Sequence, residues 1–497
     1  MNNMIVFPLI LPIMTAILLV FFRHNIILQR IVSIITMAVV TIISAVIVWA
    51  VPVHGILRLD FSGWQPPYGI LFVADSFAAL LVFTASLVTT IILLYATCTI
   101  GEKRERNFFY TFVLLMIAGV NGSFLTGDIF NLFVCFEVML LASYVLITLG
   151  GERVQLRESI KYVLINVVAS WLFLVALAYL YSTLGTLNMA HIALRVTEAG
   201  QGPLLTTVSL VFLAVFALKA GLLLFQWLPG SYSAPPPAVA ALFAALLTKV
   251  GIYALFRTYT LMFTHDALPY RLIGIMAMLT IIAGCLGALS GRDVRTIAVY
   301  NVLIGVGFIL LGLAIGTEVA FQGAIYYVLH DIIAKAFLFL CIGTMIYLTG
   351  ETVIDQMSGL IRNYPVFGWL FFIVMCALAG IPPLSGFIGK VLIAQAAVAE
   401  GDFLLIAVGL ASSIIVLYSL LRIFLSAFFG ETIIPLGEEM PLPKTVIWPI
   451  IMLALLTIAL GVGAQAIANY VVHAAEVLAN PTQYIDAVLP EALKKGM

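Results

Sequence analysis

The chain has 497 residues, of which 63% are hydrophobic and 9% are charged, and its mean hydropathy is +1.18. Soluble globular proteins carry about 25% charged residues, so this composition indicates an integral membrane protein. The net charge of zero argues against nucleic acid as a partner, and the sequence has no polar block long enough for a separate enzyme domain.

Apolar runs long enough to cross a bilayer recur along the whole chain. With about 20 apolar residues for each membrane helix, the sequence predicts about 14 spans and an all-α polytopic membrane protein. In chain order the spans cover roughly 4–22, 31–53, 71–98, 107–125, 128–149, 160–183, 205–228, 238–262, 271–290, 296–316, 319–349, 366–400, 403–430 and 446–470. The first run has no basic region before it and no small-residue cleavage site after it, so it is predicted to be a retained span.

Three segments outside the spans have sequence features that predict their structure or position. The Pro, Gly and aromatic residues of 63–69 predict an ordered interfacial turn before the third span. Residues 188–198 are polar on one face and predict a short interfacial helix, on which His191 is expected to be a wetted surface residue. The amphipathic tail 471–497 is expected to lie outside the core.

Basic residues are distributed unevenly between alternate loops. One set of loops holds Arg23, Arg30, Lys103, Arg104, Arg106, Arg153, Arg157, Lys161, Arg292, Arg295, Arg362 and Lys444. The other set holds little beyond Arg58, Arg195 and Arg271. The positive-inside rule predicts that the first set is cytoplasmic and that the N-terminus is outside. An even number of spans then returns the C-terminus to the outside.

Two blocks of five spans have corresponding features. The predicted regions are an N-terminal three-helix region, a first and a second five-helix repeat, and a last helix with its tail, at 1–106, 107–263, 264–430 and 431–497. Each repeat contains a span with proline and lysine: Lys219 precedes Pro229, whereas Lys390 follows Pro382 and Pro383. Proline in a membrane helix frees a backbone carbonyl, and paired broken spans indicate an ion pathway between inverted repeats.

Five charged side chains lie near the middle of apolar spans: Glu137, Lys219, Lys249, Lys335 and Lys390. A charge at that depth costs roughly 2.5–3.5 kcal/mol on insertion scales, so these groups must face one another or water. Movement of protons or ions through the protein explains them best.

The spacing of these charges suggests partners. Glu137 and Lys219 are predicted to form a pair with coupled titration, although a static ion pair that fixes helix packing is the alternative. Lys249 has no carboxylate within a helical turn and needs water or a partner on another helix. Asp331 is four residues before Lys335, so local neutralisation remains an equal alternative there.

Other polar residues have simpler interpretations. His330 adds a group that can titrate near neutral pH and could pass protons from Lys249 towards Lys390. Asp75 and Asp128 are expected to stabilise helix starts. Arg257 and Arg422 lie close enough to predicted helix ends to reach lipid headgroups.

Motifs for cofactors and metals are missing from the sequence. The five cysteines lie in or beside apolar runs without CxxC spacing, which predicts buried thiols and no metal site. The sequence has no dinucleotide fingerprint, phosphate loop or serine nucleophile motif, so no cofactor is predicted. Energy must come from an ion gradient or from a partner subunit.

Two longer motifs resemble those of the antiporter-like membrane subunits of respiratory complex I. They are 225–242, which reads FQWLPGSYSAPPPAVAAL, and 380–390, which reads GIPPLSGFIGK. Within that superfamily the chain is most similar to the Mrp (multiple resistance and pH) cation/proton antiporters, through residues 63–69, the context of Glu137 and the chain length.

The resemblance implies a fold, an activity and a set of site residues. The fold is 14 helices with two inverted five-helix repeats, in a bacterial plasma membrane complex of six or seven different subunits. The activity is export of sodium in exchange for protons, which makes the chain a transporter subunit and not an enzyme. The family's essential glutamate corresponds to Glu137 and its pumping lysine to Lys219. Its proton relay corresponds to Lys249, His330, Lys335 and Lys390.

Two other functions remain open from the sequence. One is a proton-pumping membrane-arm subunit of a redox enzyme, such as a complex I-like NADH–quinone oxidoreductase or a membrane-bound hydrogenase. The other is an assembly scaffold in which the buried charges are structural.

Overall fold

The computed structural model describes residues 2–200, 202–264, 267–432, 434 and 441–490. In these ranges the chain is a helical bundle with one small hairpin, in which β1 (Leu57–Asp60) pairs antiparallel with β2 (Leu71–Ala74) and Leu57 lies opposite Ala74. The predicted all-α membrane fold is confirmed. The predicted interfacial turn 63–69 lies in the loop of this hairpin.

The helices are numbered in chain order. Those before the middle of the chain are α1 (Phe7–Phe21), α2 (Ile26–His54), α3 (Ser76–Thr99), α4 (Glu102–Arg106), α5 (Phe109–Leu125), α6 (Ile129–Thr148), α7 (Arg153–Leu184), α8 (Met189–Ala199), α9 (Pro203–Ala220), α10 (Leu228–Ser233), α11 (Pro237–Leu242) and α12 (Thr248–Arg257). Those after it are α13 (Ala267–Ser290), α14 (Val294–Ile315), α15 (Glu318–Thr349), α16 (Leu360–Asn363), α17 (Pro365–Ala379), α18 (Gly386–Glu400), α19 (Phe403–Phe428), α20 (Lys444–Val462), α21 (Ala464–Ala479) and α22 (Pro481–Val488).

Shorter segments complete the chain path. Two π-helical segments, Phe243–Leu247 and Thr258–Met262, join and extend α11 and α12 into one continuous helix, Pro237–Met262. Three 3-10 turns are Asn2–Val6, Phe61–Gly63 and Ile354–Gln356.

The number of membrane-spanning helices agrees with the prediction. In the described ranges, 12 helices are long and apolar enough to cross a membrane, and α5 and α17 are two shorter apolar helices. Together they correspond to the 14 predicted spans. The third predicted span began too early, because residues Leu71–Ala74 form β2 and the helix starts only at Ser76.

One loop arrangement occurs twice, at opposite ends of the bundle. Asp128 caps the start of α6 and forms an antiparallel bridge with Asn188, beyond α7. Asp293 caps the start of α14 and forms the same bridge with Val353, beyond α15, at the same separation in sequence. Five spans lie between the two aspartates, and an odd number of crossings places them on opposite faces. The two halves are therefore inverted with respect to each other.

Each half contains one interrupted span, as the prolines predicted. The first half-helix of each ends at a glycine in the left-handed region, Gly221 after α9 and Gly380 after α17. Glycine adopts this conformation without the steric cost that a side chain would add. The chain resumes as α10 in the first half and as α18 in the second.

The helices differ strongly in burial. The continuous helix Pro237–Met262 is buried along its length, and α3, α14 and α15 are buried over most of theirs. In contrast, α1, α2, α7, α13 and α19 expose much of their apolar surface. The buried helices include those that carry Lys249 and Lys335, so these charges lie at the centre of the protein.

Candidate functional site

The first polar centre joins α6, α7 and α9 through one serine. Ser170 Oγ donates a hydrogen bond to Glu137 Oε1, and Lys219 Nζ donates to Ser170 Oγ over 3.2 Å. Lys219 is buried, and its Nζ lies 5.2 Å from the centroid of the Phe136 ring. Glu137 and Lys219 thus lie together, as expected from the sequence, but they are linked by Ser170, which the sequence did not single out. A hydroxyl can serve both partners because it donates and accepts at once.

A glycine brings Lys219 close to the helix that carries Lys249. Lys219 occupies the last turn of α9, where a cation interacts favourably with the negative end of the helix dipole. Gly251 of α12 faces this turn, and a Cβ at this position would lie 2.5 Å from the backbone nitrogen of Ala220. The small residue therefore allows the two helix backbones to touch.

The second polar centre has one buried carboxylate between two lysines. Lys249 Nζ lies 2.7 Å from Asp331 Oδ2, and Lys335 Nζ lies 3.5 Å from Asp331 Oδ1. All three side chains are buried. Each lysine also donates to a backbone carbonyl over 2.8 Å, Lys249 to that of Ala244 and Lys335 to that of Asn301. The partner that Lys249 needed on another helix is Asp331.

Local backbone features make room for this centre. Ala244 lies in the π-helical segment Phe243–Leu247, and such segments leave carbonyl groups free for other donors. Gly305 of α14 faces Asp331, and a Cβ there would lie 2.6 Å from Asp331 Oδ1. Because the carboxylate is nearer to Lys249 than to Lys335, Asp331 is a shared partner and not a purely local neutraliser of Lys335.

The third polar centre lies at the break between α17 and α18. His330 Nδ1 is hydrogen-bonded to Ser385 Oγ over 2.7 Å, directly before α18 begins. The centroid of the Tyr327 ring lies 5.3 Å from that of the His330 ring and 5.8 Å from Lys390 Nζ. Tyr327 therefore separates His330 from Lys390 by a single aromatic side chain.

Lys390 turns back towards the first half of its own span. Its Nζ donates to the carbonyls of Leu378 and Ala379, both over 3.0 Å, and to Ser413 Oγ over 2.9 Å. These carbonyls are at the C-terminal end of α17, where a cation offsets the helix dipole. Lys219 belongs to the last turn of α9 itself, whereas Lys390 belongs to α18 and reaches the end of α17 with its ammonium group. Each lysine therefore lies at the break of its interrupted span. This explains why one lysine precedes its prolines in the sequence and the other follows them.

A separate buried ion pair contradicts the prediction for Arg257. Arg257 was expected to reach lipid headgroups, but it is 3% exposed, and its Nη2 lies 2.5 Å from Asp75 Oδ2. Asp75 also caps α3 by accepting from the backbone of Ala78, as predicted. The guanidinium carbon of Arg257 lies 4.7 Å from the centroid of the Tyr484 ring. Arg257 also donates to Tyr253 Oη, four residues before it. The prediction was wrong because the partners that hold Arg257 inside the protein, Asp75 and Tyr484, are distant in sequence.

The tail prediction was wrong for the same reason. Tyr484 belongs to α22 and is 2% exposed, and α21 packs on α3 and α15. Residues 471–490 are therefore part of the packed structure, while 491–497 of the predicted tail lie outside the described residues.

Two more expectations for polar residues are corrected. The predicted interfacial helix is present as α8, but His191 is 8% exposed instead of wetted. Burial and the neighbouring Arg195 lower the pKa of His191. Arg422 was expected to reach lipid headgroups. Instead it donates to the carbonyls of Leu289 and Gly291 and so caps the C-terminal end of α13.

The three centres consist of groups whose chemistry allows proton exchange. Carboxylate, hydroxyl, amine and imidazole groups can all pass protons, and in a coupled pair the movement of one charge changes the proton occupancy of the other. Across the described ranges, no group of three or more His, Cys, Asp or Glu side chains is arranged to hold a metal ion.

Comparisons with known proteins show the family and the fold of the chain. Residues 126–416 match the family model described as "NADH:quinone oxidoreductase/Mrp antiporter, TM". The D subunit of the Na(+)/H(+) antiporter of Bacillus subtilis (strain 168) is 47% identical over 498 residues, covering 99% of this chain and 100% of that protein. A chain in the structure of the Mrp complex from Dietzia sp. DQ12-45-1b superimposes with a TM-score of 0.92 at 30% identity, over 99% of this chain and 100% of that one. A chain of the archaeal membrane-bound sulfane sulfur reductase (MBS) has a TM-score of 0.90 at 26% identity, over 98% and 100%.

Proposed function

The chain belongs to the NADH:quinone oxidoreductase/Mrp antiporter transmembrane family, and we propose that it is the proton-translocating membrane subunit of a multi-subunit Na⁺/H⁺ antiporter that exports sodium in exchange for protons. It is a multi-pass membrane protein and a membrane subunit of a Na⁺/H⁺ antiporter. Its similarity to the antiporter subunit of Bacillus subtilis extends over the full length of both chains.

The observation that carries the proposal is the series of three polar centres inside an inverted-repeat fold, in which the four lysines and His330 are buried and Glu137 is half-buried. The six predicted site residues all take part: Glu137, Lys219, Lys249, His330, Lys335 and Lys390. Buried ionisable groups are costly in a membrane and mark ion or proton pathways. The second and third centres are mostly cationic, and this suits proton transfer better than a sodium site, which needs several oxygen ligands.

Each residue has a role in the proposal. The Glu137–Lys219 centre holds a proton, and release of that proton changes the charge beside Lys249. The Lys249–Asp331–Lys335 centre responds because Asp331 can stabilise only one of its two lysines closely at a time. His330 passes the proton across the break between α17 and α18 towards Lys390.

The surroundings of the subunit are also part of the proposal. The other antiporter subunits are its partners in the plasma membrane of a bacterium, and protons and sodium are the transported ions. The basic loops face the cytoplasm, with both termini outside. The two repeats are 107–263 and 264–430, preceded by a three-helix region at 1–106 and followed by the last helix and tail at 431–497.

A second candidate is a membrane-arm subunit of a redox enzyme. The structural likeness to a chain of the sulfane sulfur reductase favours it, since that chain has almost the same fold. The higher identity to an antiporter subunit favours the first proposal. The composition of the complex purified with this chain separates the two, because a redox enzyme requires subunits with iron–sulfur, flavin or nickel sites.

The proposal is tested by Glu137→Gln and Lys219→Met in the assembled complex. Sodium-dependent proton exchange in membrane vesicles is expected to be lost in both variants, with normal amounts of complex. Full exchange in both would overturn the proposed role. Loss of assembly without loss of exchange per complex would instead support the scaffold function.

A further inference from the structure

We infer that the chain binds a phospholipid in the side of the bundle, with one acyl chain in an apolar cavity against α15. The cavity lies between α2, α3, α15, α20 and α21 and has a volume of about 420 Å³. We call it the acyl slot and define it by Leu80 and Leu87 of α3, Leu329 and Ile333 of α15, and Ala459 of α20. The inference concerns the binding of a lipid and goes beyond the proposed function.

Small residues where α20 passes into α21 leave this space open. Ala459, Gly463 and Ala466 all line the slot, and Ala459 and Ala466 are exposed. The slot therefore opens on the outer surface of the bundle. The helices beside the opening expose large apolar side chains, such as Trp49 of α2 and Leu455 of α20. A surface of this kind on a membrane-spanning bundle faces lipid.

The walls of the slot suit hydrocarbon and not water. Among the described residues that line it, only Thr84 and Tyr470 have polar side-chain groups. The Thr84 hydroxyl is already used, because its Oγ1 donates to the backbone carbonyl of Leu80 over 2.8 Å. A water molecule needs about two to four polar partners to occupy a cavity. An apolar ligand is therefore the expected occupant.

The depth of the slot matches one leaflet of the membrane. The helix α3 begins at Ser76, and Leu80 and Leu87 lie four and eleven residues further along, at about 6 and 16 Å along the helix axis. Half of the hydrocarbon thickness of a bilayer is about 15 Å. An acyl chain of the leaflet at this face covers the same depth as the slot.

A second cavity with polar side chains adjoins the slot at the end of α2. It has a volume of about 330 Å³ and is lined by Pro52, Ala466, Asn469, Tyr470 and His473, of which Ala466 and Tyr470 also line the slot. Pro52 lies in the last turn of α2, so this polar mouth is level with the end of that span. Asn469 and His473 are one turn apart on α21, and both side chains can donate hydrogen bonds to a phosphate group.

The charges at the polar mouth suit a headgroup with both a phosphate and an ammonium group. His473 Nδ1 lies 3.5 Å from Glu476 Oε2, and both side chains are partly exposed. The Glu476 carboxylate can accept from an ammonium group while Asn469 and His473 donate to the phosphate. Phosphatidylethanolamine carries this pair of charges, whereas phosphatidylglycerol has no ammonium group. The structure therefore favours phosphatidylethanolamine as the ligand.

The volume of the slot excludes a helix of a partner protein. An α-helix with its side chains is about 10–12 Å wide, so the slot would hold only about one turn of it. Sites for small flexible ligands usually measure about 300–1,000 Å³, and the slot lies in this range. A single acyl chain fits such a space and continues into the surrounding lipid.

A lipid in the slot lies directly against the helix of the second and third polar centres. Leu329 and Ile333 line the slot, and they flank His330 and Asp331 in the sequence. An empty space at this position would deprive α15 of van der Waals contacts on one side. Because a ligand that binds only the folded protein stabilises it, added phosphatidylethanolamine is expected to raise the thermal midpoint of the purified complex.

Photocross-linking tests the site in the complex that contains this chain. The complex is placed in vesicles of phosphatidylethanolamine and phosphatidylglycerol, with a trace of phosphatidylethanolamine that carries a diazirine near the middle of one acyl chain. Leu329 and Ile333 are only 3% and 7% exposed, so the probe can label them only from within the slot. Labelling of residues 329–333 is expected in the wild type. Its absence would overturn the site, whatever the variants do.

Variants that fill the slot give the second arm of the test. Ala459→Phe and Ala466→Phe each place a ring in the slot and are expected to reduce the labelling of residues 329–333 at least severalfold. Gln465→Phe adds the same ring at an exposed position of α21 outside the slot and is expected to keep the wild-type labelling. Labelling of the exposed Trp49 reports the amount of lipid around each protein. Unchanged labelling of residues 329–333 in both filling variants would overturn the site.

Two further probes test the identity of the lipid. A phosphatidylglycerol probe with the same diazirine is expected to label residues 329–333 less than the phosphatidylethanolamine probe, and Asn469→Ala/His473→Ala is expected to remove this difference. Equal labelling of the wild type by both probes would overturn the headgroup assignment. A photoreactive isoprenoid quinone tests the other apolar occupant. Stronger labelling by the quinone than by either phospholipid would overturn the assignment of the slot to an acyl chain.

Discussion

Lys249 Nζ lies 2.7 Å from Asp331 Oδ2, and this contact joins the helix α12 of the first half to the helix α15 of the second. Both side chains are fully buried, and Lys335 approaches the same carboxylate from within α15. A carboxylate shared in this way couples its two lysines, because a tighter contact with one weakens the contact with the other. The junction between the inverted halves is therefore a point where the charge state of one half can affect the other.

Loss of the shared carboxylate is expected to destabilise the protein. Asp331→Asn leaves two buried lysines without their counter-charge, and breaking a buried ion pair in this way destabilises by about 3–5 kcal/mol. We expect a lower thermal midpoint of the purified complex and loss of exchange. The double variant Asp331→Asn/Lys335→Met leaves only Lys249 without a counter-charge, so it is expected to recover part of the thermal stability without the exchange. Equal stability of the single and double variants would contradict the shared role.

Ser170 is expected to be needed for transport more than for stability. Ser170→Ala removes the hydroxyl that links Glu137 to Lys219 and changes little volume. Sodium-dependent proton exchange is expected to fall by about tenfold or more, as for other positioned proton-transfer groups. Ser170→Thr keeps a hydroxyl and is expected to keep more of the activity. Ser182→Ala, on the exposed end of the same helix, is the matched control. Unchanged exchange in Ser170→Ala would show that Glu137 and Lys219 communicate without it.

Features that depend on the cost of entering a membrane could be predicted from the sequence. Apolar run length predicts spans, since each helix must cross about 30 Å of hydrocarbon. Pro229, Pro382 and Pro383 predicted the interrupted spans because proline removes a backbone donor. The six candidate site residues were singled out because a charged or titratable group deep in a span is rare. All of these signals are local in the chain.

The partners of those charges could not be predicted. Neutralisation of Lys335 by Asp331 was an equal alternative in the sequence, because spacing within one helix is visible there. The shorter contact of Asp331 with Lys249 depends on how α12 packs on α15. Ser170 carries no distinctive signal, because serine is common in membrane helices. Arg257 was placed at the surface for a similar reason, since Asp75 is far away in the sequence.

The buried pair between Asp75 and Arg257 is expected to matter for stability. Arg257→Met leaves the Asp75 carboxylate buried without its cation, at a cost of about 3–5 kcal/mol. A lower thermal midpoint of the complex is the expected result. Adding Asp75→Asn keeps the cap on α3 and removes the unpaired charge. The double variant is therefore expected to regain much of the lost thermal stability. A double variant as unstable as Arg257→Met alone would show that packing against Tyr484, and not charge pairing, is the main contribution.

Asp128 is expected to make stability depend on pH. It lies just before the span Ile129–Thr148, and burial raises the pKa of its carboxyl from 3.8 to about 6. The folded chain then binds this proton more tightly than the unfolded chain, so the stabilising contribution is complete below pH 3.8 and is lost as the pH rises to about 6.

Asp128→Asn keeps the helix cap without the ionisable group. It is expected to stabilise the complex by at most about 3 kcal/mol above pH 6, because one pKa unit corresponds to about 1.4 kcal/mol. The stability difference between Asp128→Asn and the wild type is expected to vanish towards pH 4. Thermal midpoints of both proteins measured between pH 4 and pH 8 check this. A difference that stays constant over this range would contradict the assigned titration.

The ring of Phe173, one turn beyond Ser170, packs against four other phenylalanine rings, and this cluster is expected to prevent a proton leak. Phe173→Gln places an amide among the rings of Phe133, Phe136, Phe212 and Phe216, where it can hold water beyond Ser170. Vesicles with this variant are expected to lose an imposed pH gradient several times faster than wild type in the absence of sodium. Phe173→Leu keeps the region apolar and serves as the control for lost aromatic packing. If both variants leak equally, the barrier depends on packing alone. If neither variant leaks, this cluster of rings is not the barrier.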